Sequence, residues 1–149
     1  MSEEGISKYL TMQKTFYDIV AQTWTTENRD PVVGSFDAHN KFQPYVEVLF
    51  REIDTELSVA LEYGGGPGRN LVRYQGRFKR IDGTDISQHN LDKAVEWCNH
   101  NNVSYGNLKV CDGKSIPFDD DQYDVVFSVI CLQHICVYDI RFAIFKEAY

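Results

Sequence analysis

Leu57-Ser58-Val59-Ala60-Leu61-Glu62-Tyr63-Gly64-Gly65-Gly66-Pro67-Gly68 is the stretch on which the fold turns. Leu57 to Tyr63 is short, apolar and rich in β-formers, so it reads as a buried strand. The glycine run follows at once, and Asn70 to Gln75 reads as a short helix, giving strand, glycine loop, helix. Glycines suit a loop whose backbone must approach a ligand closely or turn through positive φ. The start of the following helix would add free N–H groups and a dipole.

Downstream, the same alternation continues. Phe78 to Asp85 can form a second strand, and Ser87 caps a helix whose Leu91, Ala94, Val95 and Cys98 make an apolar stripe ending near Asn101-Asn102. A third strand is expected at Leu108 to Cys111, with Asp112-Gly113 turning off its end. The continuous apolar run in Tyr123 to Val129 fits a fourth strand buried on both faces, and a last helix runs from about Tyr138 onward. Strands alternating with helices predict a parallel sheet with right-handed crossovers, an α/β fold of the doubly wound type.

Upstream, Ile6, Leu10, Gln13, Tyr17, Val20 and Trp24 recur at three- and four-residue steps, which predicts an amphipathic helix with Gln13 as its one polar exception. Thr25 to Phe36 reads as loop, and Phe42 to Thr55 as a second helix with Pro44 in its first turn. The first helix is expected to act as a mobile flap: residues 1–36 form flap and loop, residues 37–149 the α/β portion of a single domain.

Ligands of such sheets bind beyond the carboxyl ends of the strands. The candidate polar residues gather at that edge: Glu62, the glycine loop, Asp85, Asp112 and Ser128. A carboxylate at Asp85 can accept hydrogen bonds from both hydroxyls of a ribose, which implies a nucleoside-type ligand. Asp112, beside Gly113, would then receive an adenine amine, with Ile86 and Ile116 on either side of the ring. A dinucleotide fingerprint starting at Gly64 and Gly66 would need its third glycine where Arg69 stands, so a nicotinamide-dependent oxidoreductase is the poorer fit.

Glu62-Tyr63-Gly64-Gly65-Gly66-Pro67-Gly68 instead resembles the E/D-x-G-x-G-x-G first motif of class I S-adenosylmethionine-dependent methyltransferases. The resemblance runs from about Leu57 to Tyr149 through Gly83-Thr84-Asp85-Ile86-Ser87, Asp112-Gly113, Ile116-Pro117-Phe118-Asp119 and Tyr123-Asp124-Val125-Val126-Phe127-Ser128. It implies a Rossmann-like open parallel sheet with helices on both faces and strand order 3-2-1-4. It also implies S-adenosylmethionine as cofactor, Glu62 organising the methionine end through water, the backbone of Gly64, Gly65, Gly66 and Gly68 wrapping the cofactor, and Asp85 on the ribose. Asp112 and Gly113 would meet the adenine and Ser128 would border the methionine amine. Tyr17, with Phe16, would close over the cofactor, and His134 is the candidate base for an acceptor that carries a proton.

The family's sheet has seven strands, and only four are present here, so the expectation is a C-terminally truncated domain whose fourth strand is an apolar edge. Ile140, Phe142, Ile144, Phe145, Ala148 and Tyr149 spread over more than one face of the last helix, which predicts pairing of two copies through that edge and helix. An inactive cofactor-binding or assembly module is the alternative function.

Composition bounds the rest. The chain has 149 residues, 43% of them apolar, and a formal net charge of -7 without a Lys/Arg-dense stripe, which argues against nucleic acid as a partner. The missing N/D-P-P-Y/F segment and Pro-Cys dipeptide argue against DNA-methylating subclasses, so a small-molecule acceptor is favoured. The acidic start Met1-Ser2-Glu3-Glu4 leads into no signal-like apolar run, and Val125 to Leu132 is too short to span a bilayer, so a cytoplasmic location away from membranes is expected. Cys98, Cys111, Cys131 and Cys136 lack metal or disulfide spacing and read as buried reduced thiols; the four scattered histidines suggest no metal site.

Overall fold

The computed structural model describes residues 1–26 and 48–149. The first helix, α1 (Glu3–Gln22), opens on Ser2, whose hydroxyl accepts the Gly5 N–H at 3.2 Å. Ile6, Leu10, Gln13, Tyr17 and Val20 lie on its covered side, as their spacing predicts, while Trp24, expected to continue that face, is buried two residues past the helix end. The expected loop beyond residue 26, the boundary between residues 36 and 37, and the second predicted helix up to residue 47 fall outside the described residues. Of that helix, Val48 and Leu49 are helical, and the chain turns from Phe50 onward rather than continuing to Thr55.

Four parallel strands follow: β1 (Val59–Tyr63), β2 (Arg80–Asp85), β3 (Leu108–Val110) and β4 (Val125–Phe127), in the order β3-β2-β1-β4. Between and after them lie α2 (Arg69–Arg73), α3 (Gln88–His100), a 3-10 turn at Leu132–His134 and α4 (Tyr138–Glu147). The predicted fold class and strand order are thus observed. The outer strands are shorter than their apolar runs. Tyr123 is drawn off β4 to donate to Asp82, and Ile130 turns the chain away at φ 60, costly for a β-branched residue.

Two apolar clusters hold the layers together. In one, Phe50 sits edge-on against Tyr74, Phe78 and Phe127 with ring centroids 5.1–5.3 Å apart, over Ala60, Leu71, Ala94 and Cys98. In the other, Tyr63, Cys111, Val137, Ile140 and Ile144 pack with Ile6, Leu10 and Ile116. The cysteines divide: Cys98 and Cys111 are buried, whereas Cys131 is half-buried and Cys136 exposed, contrary to the expectation of four buried thiols. Their fate depends on tertiary position, which spacing does not encode. Among the described residues no helix is long and apolar enough to cross a membrane.

Helix α1 is tied to the body at two points. Tyr9 Oη donates to the His134 carbonyl at 3.1 Å and accepts the Cys136 N–H at 3.2 Å. Asp18 accepts from Ser87 Oγ at 2.5 Å and from Lys14 Nζ at 2.7 Å, and these hydrogen bonds outweigh partial burial and pull its carboxyl down to about 2. The predicted flap is therefore seated on the loop after β4 and on the cap of α3.

Candidate functional site

Between α1 and the carboxyl ends of the strands lies a cavity of about 300 Å³, within the range of small-molecule sites. Its walls bring together Tyr17, Glu62, Gly64, Gly65, Gly66, Asp85, Ile86, Gly113 and His134 from the sequence prediction. Convergence of residues from β1, β2, α1 and the loops after β3 and β4 is what parallel topology dictates, since every strand points its carboxyl end at one rim.

The glycine loop is built into the sheet. Gly64 and Gly65 N–H both donate to the Thr84 carbonyl, at 2.8 and 3.0 Å, and Gly66 N–H donates to Asp85 Oδ2 at 2.9 Å. Gly64 has φ 72, and a Cβ there would lie 2.2 Å from Cys131 Sγ, so no other residue fits without moving the loop after β4. Gly68 stands off the cavity: its own Cβ would meet the Ala94 backbone at 2.9 Å, so its part is to let α2 approach α3. This helix-packing task is the one the dinucleotide fingerprint gives its third glycine. As expected from the sequence, the helix after the loop is short: α2 has five residues, Arg69–Arg73, and carries a small dipole.

Two buried carboxylates face the cavity. Asp85, at the end of β2 and 6% exposed, accepts the Ser87 N–H at 2.9 Å and Asn90 Nδ2 at 3.0 Å on Oδ1, besides Gly66 on Oδ2. Burial raises its affinity for a proton against the pull of those donors. Among the described residues Glu62, in β1 and 1% exposed, accepts only Asn70 Nδ2, at 2.5 Å, and its Oε2 is buried without a partner. Desolvation pushes the Glu62 carboxyl up to about 7, although the Asn70 hydrogen bond and the Arg69 charge oppose it. Asn90 Oδ1 and Asn70 Oδ1 are also buried without partners. These three buried, unpartnered acceptor atoms favour a ligand that brings donors or positive charge.

Three predicted residues are engaged elsewhere. Asp112 Oδ1 accepts the N–H of Lys114 and of Ser115 and the Ser115 hydroxyl at 2.8–2.9 Å, and these donors hold its carboxyl below the usual range despite partial burial. It borders a second hollow, on the far side of Leu10 and Ile86, rather than the main cavity. Ser128 Oγ donates to the Tyr63 carbonyl at 2.8 Å and fastens the end of β4 to that of β1. Ile116 packs in the apolar cluster under α1 and α4 rather than on the cavity wall, leaving Ile86 without it. Gly113, at φ 86, lets Ile86 and Leu10 close in, since a Cβ there would lie 2.8 Å from each.

Tyr9, Leu10, Gln13, Arg69, Asn90, Cys111, Ile130 and Cys131 also line the cavity, none of them expected as a site residue from the sequence. Two carried a signal: Gln13 interrupts the apolar face of α1, and Asn90 is polar beside the buried Leu91 and Ala94. Burial pushes the Cys131 thiol up to about 12, so it is protonated and a poor nucleophile at neutral pH. His134 is exposed at the mouth, with Gln133 Nε2 3.3 Å from its Nε2. Among the described residues no cluster of His, Cys, Asp and Glu gathers as for a metal ion.

A family model described as a methyltransferase domain matches residues 60–149, more than half of the chain. A phosphoethanolamine N-methyltransferase of Haemonchus contortus, solved with phosphomonomethylethanolamine and S-adenosylhomocysteine, is 27% identical over 69% of this chain and 24% of its own, with a TM-score of 0.57. A protein of Pyrococcus horikoshii (19% identity, TM-score 0.65) is covered over 87% of this chain and 58% of its own. An S-adenosylmethionine-dependent methyltransferase of Clostridium acetobutylicum (14% identity, TM-score 0.61) is covered over 94% of this chain and 51% of its own. The chain thus spans a quarter to somewhat over half of the length of these structures. No curated protein matches it in sequence.

Proposed function

Since the chain belongs to the methyltransferase-domain family, we propose that its cavity binds S-adenosylmethionine and that it serves in methyl transfer to a small-molecule acceptor. The observation that carries this is the pairing of Glu62, with its orphaned buried oxygen, and Asp85 on one wall. A ligand with an ammonium group and a sulfonium brings donors and positive charge to these two carboxylates and to the unpartnered oxygen of Glu62. A pyrophosphate would bring more negative charge to it, and the N–H groups of Gly64, Gly65 and Gly66 are already bonded to Thr84 and Asp85. The nicotinamide alternative is disfavoured on both counts.

In this reading Glu62 faces the methionine end, Asp85 the ribose, and Ile86, Gly113 and Leu10 enclose the adenine. The residual acceptor site on Asp85 Oδ2 is open to a hydroxyl. The bound cofactor supplies an electrophilic methyl group on a positively charged sulfur. The protein's work is then alignment and exclusion of water, which oriented systems turn into effective molarities of roughly 10⁵ to 10⁸ M. Tyr9, Phe16 and Tyr17 on α1 cover the site, and His134 at the mouth is placed to take a proton from an acceptor hydroxyl or amine.

The second reading is a domain that binds cofactor without turnover as part of a larger assembly. Labelled-methyl transfer to candidate amines and phenols separates the two. Calorimetric titration with S-adenosylhomocysteine and with NADH tests the cofactor: saturable binding of the former and none of the latter is expected, and preference for NADH overturns the proposal.

A further inference from the structure

Counting acceptors around Asp85 shows that it cannot serve a diol alone in this arrangement. An ionised carboxylate has about four lone-pair sites. Ser87 N–H and Asn90 Nδ2 fill those on Oδ1, and Gly66 N–H takes one on Oδ2. One site is left for two hydroxyls. Asn90 sits next to it, on α3, 2% exposed and on the cavity wall. Its amide orientation is set, because Nδ2 must face the carboxylate, and this leaves Oδ1 as a buried acceptor with no partner.

We propose that Asn90 is a second sugar-reading residue: its Oδ1 accepts one ribose hydroxyl while Asp85 Oδ2 accepts the other. The proposal rests on the adenosyl reading of the cavity and adds to it a residue that determines specificity. The same Asn90 side chain then does two jobs, donating to Asp85 to hold it in place and accepting from the sugar. The bond to Asp85 accounts for Nδ2 and leaves the buried Oδ1 as the atom that the sugar hydroxyl would satisfy.

The test is a calorimetric cycle with S-adenosylhomocysteine and its 2′-deoxy and 3′-deoxy analogues on the wild type, Asn90→Leu and Asn90→Met, each checked for cooperative thermal unfolding. The wild type should bind each deoxy analogue about tenfold more weakly than the parent, the scale of one hydrogen bond. In both variants the penalty for one hydroxyl should vanish while the penalty for the other persists. Retention of both penalties in the variants overturns the proposal, as does a wild type indifferent to both hydroxyls. If the variants do not fold, the wild-type comparison alone decides: discrimination at a single hydroxyl contradicts a two-acceptor site. A wild type that binds no S-adenosylhomocysteine removes the adenosyl reading itself, which the deoxy series leaves standing in the other negative outcomes.

Discussion

Glu62 and Asp82 are both carboxylates buried in neighbouring strands of one sheet, and they are treated in opposite ways. Asp82, at the amino-terminal side, is fully covered and accepts from Asn107 N–H at 2.8 Å, Tyr123 Oη at 2.8 Å and Asn107 Nδ2 at 3.4 Å, besides an ion pair with Arg80 Nε at 2.9 Å. Its oxygens are saturated, and the clasp ties the starts of β3 and β4 to β2. Glu62, one register step nearer the carboxyl edge and on the opposite face of the sheet, has a single donor among the described residues and an orphaned oxygen. The fold is able to satisfy a buried carboxylate and does so where the purpose is structural. Where it does not, the unmet demand marks the site of a ligand.

Substitutions sharpen that contrast, beginning with the largest effect. Asp82→Ala leaves Tyr123 Oη and Asn107 N–H without their acceptor, and should lower unfolding free energy by about 2 to 4 kcal/mol in denaturant titration, with S-adenosylhomocysteine affinity of the folded fraction little changed. A loss within about 1 kcal/mol would break the structural half of the comparison. Asp85→Ala acts at the opposite rim and should weaken S-adenosylhomocysteine binding by about 1.5 to 3 kcal/mol, read by calorimetry; unchanged affinity refutes its sugar role.

Glu62→Gln changes sign with pH. The folded-state pKa of Glu62 is raised from 4.5 to about 7, so the stability it contributes is complete below about pH 4.5 and is lost as pH rises through 7. The melting temperature of the wild type should therefore fall across that window relative to Glu62→Gln, leaving the variant at least as stable at pH 8, by roughly 1 kcal/mol or more. Parallel profiles for the two proteins would show that Glu62 titrates normally. The smallest effect is expected of Tyr9→Phe, which removes the hydroxyl bonded to His134 and Cys136 and keeps the ring; about 0.5 to 1.5 kcal/mol of stability should go, measured by thermal unfolding.

The half of the site built from local patterns was legible in the sequence. The glycine loop, Asp85 and the Ser87 cap follow from turn chemistry and from the end of a strand, and all three stand where that chemistry predicts. Gly68 and Ser128 were read as ligand contacts because their spacing matched a motif, but their surroundings, Ala94 and the Tyr63 carbonyl, are brought in by packing. Tyr9, Asn90 and Cys131 could not be joined from spacing at all, since α1, α3 and the loop after β4 meet only once the sheet has assembled. The early end of β4 was hidden for a related reason: Val129 and Ile130 are as apolar as the strand itself, and the bend at Ile130 arises from the path to Cys131.

The most direct test of the central claim, that the rim's unmet carboxylate awaits a cationic ligand, is the titration of the Glu62 side-chain carboxyl carbon by nuclear magnetic resonance with and without S-adenosylmethionine. The free protein should titrate at about 7, and saturating S-adenosylmethionine should move the midpoint down by about one unit or more, since an adjacent positive charge favours the ionised form. A midpoint that stays put, or that NADH lowers equally, would contradict the account.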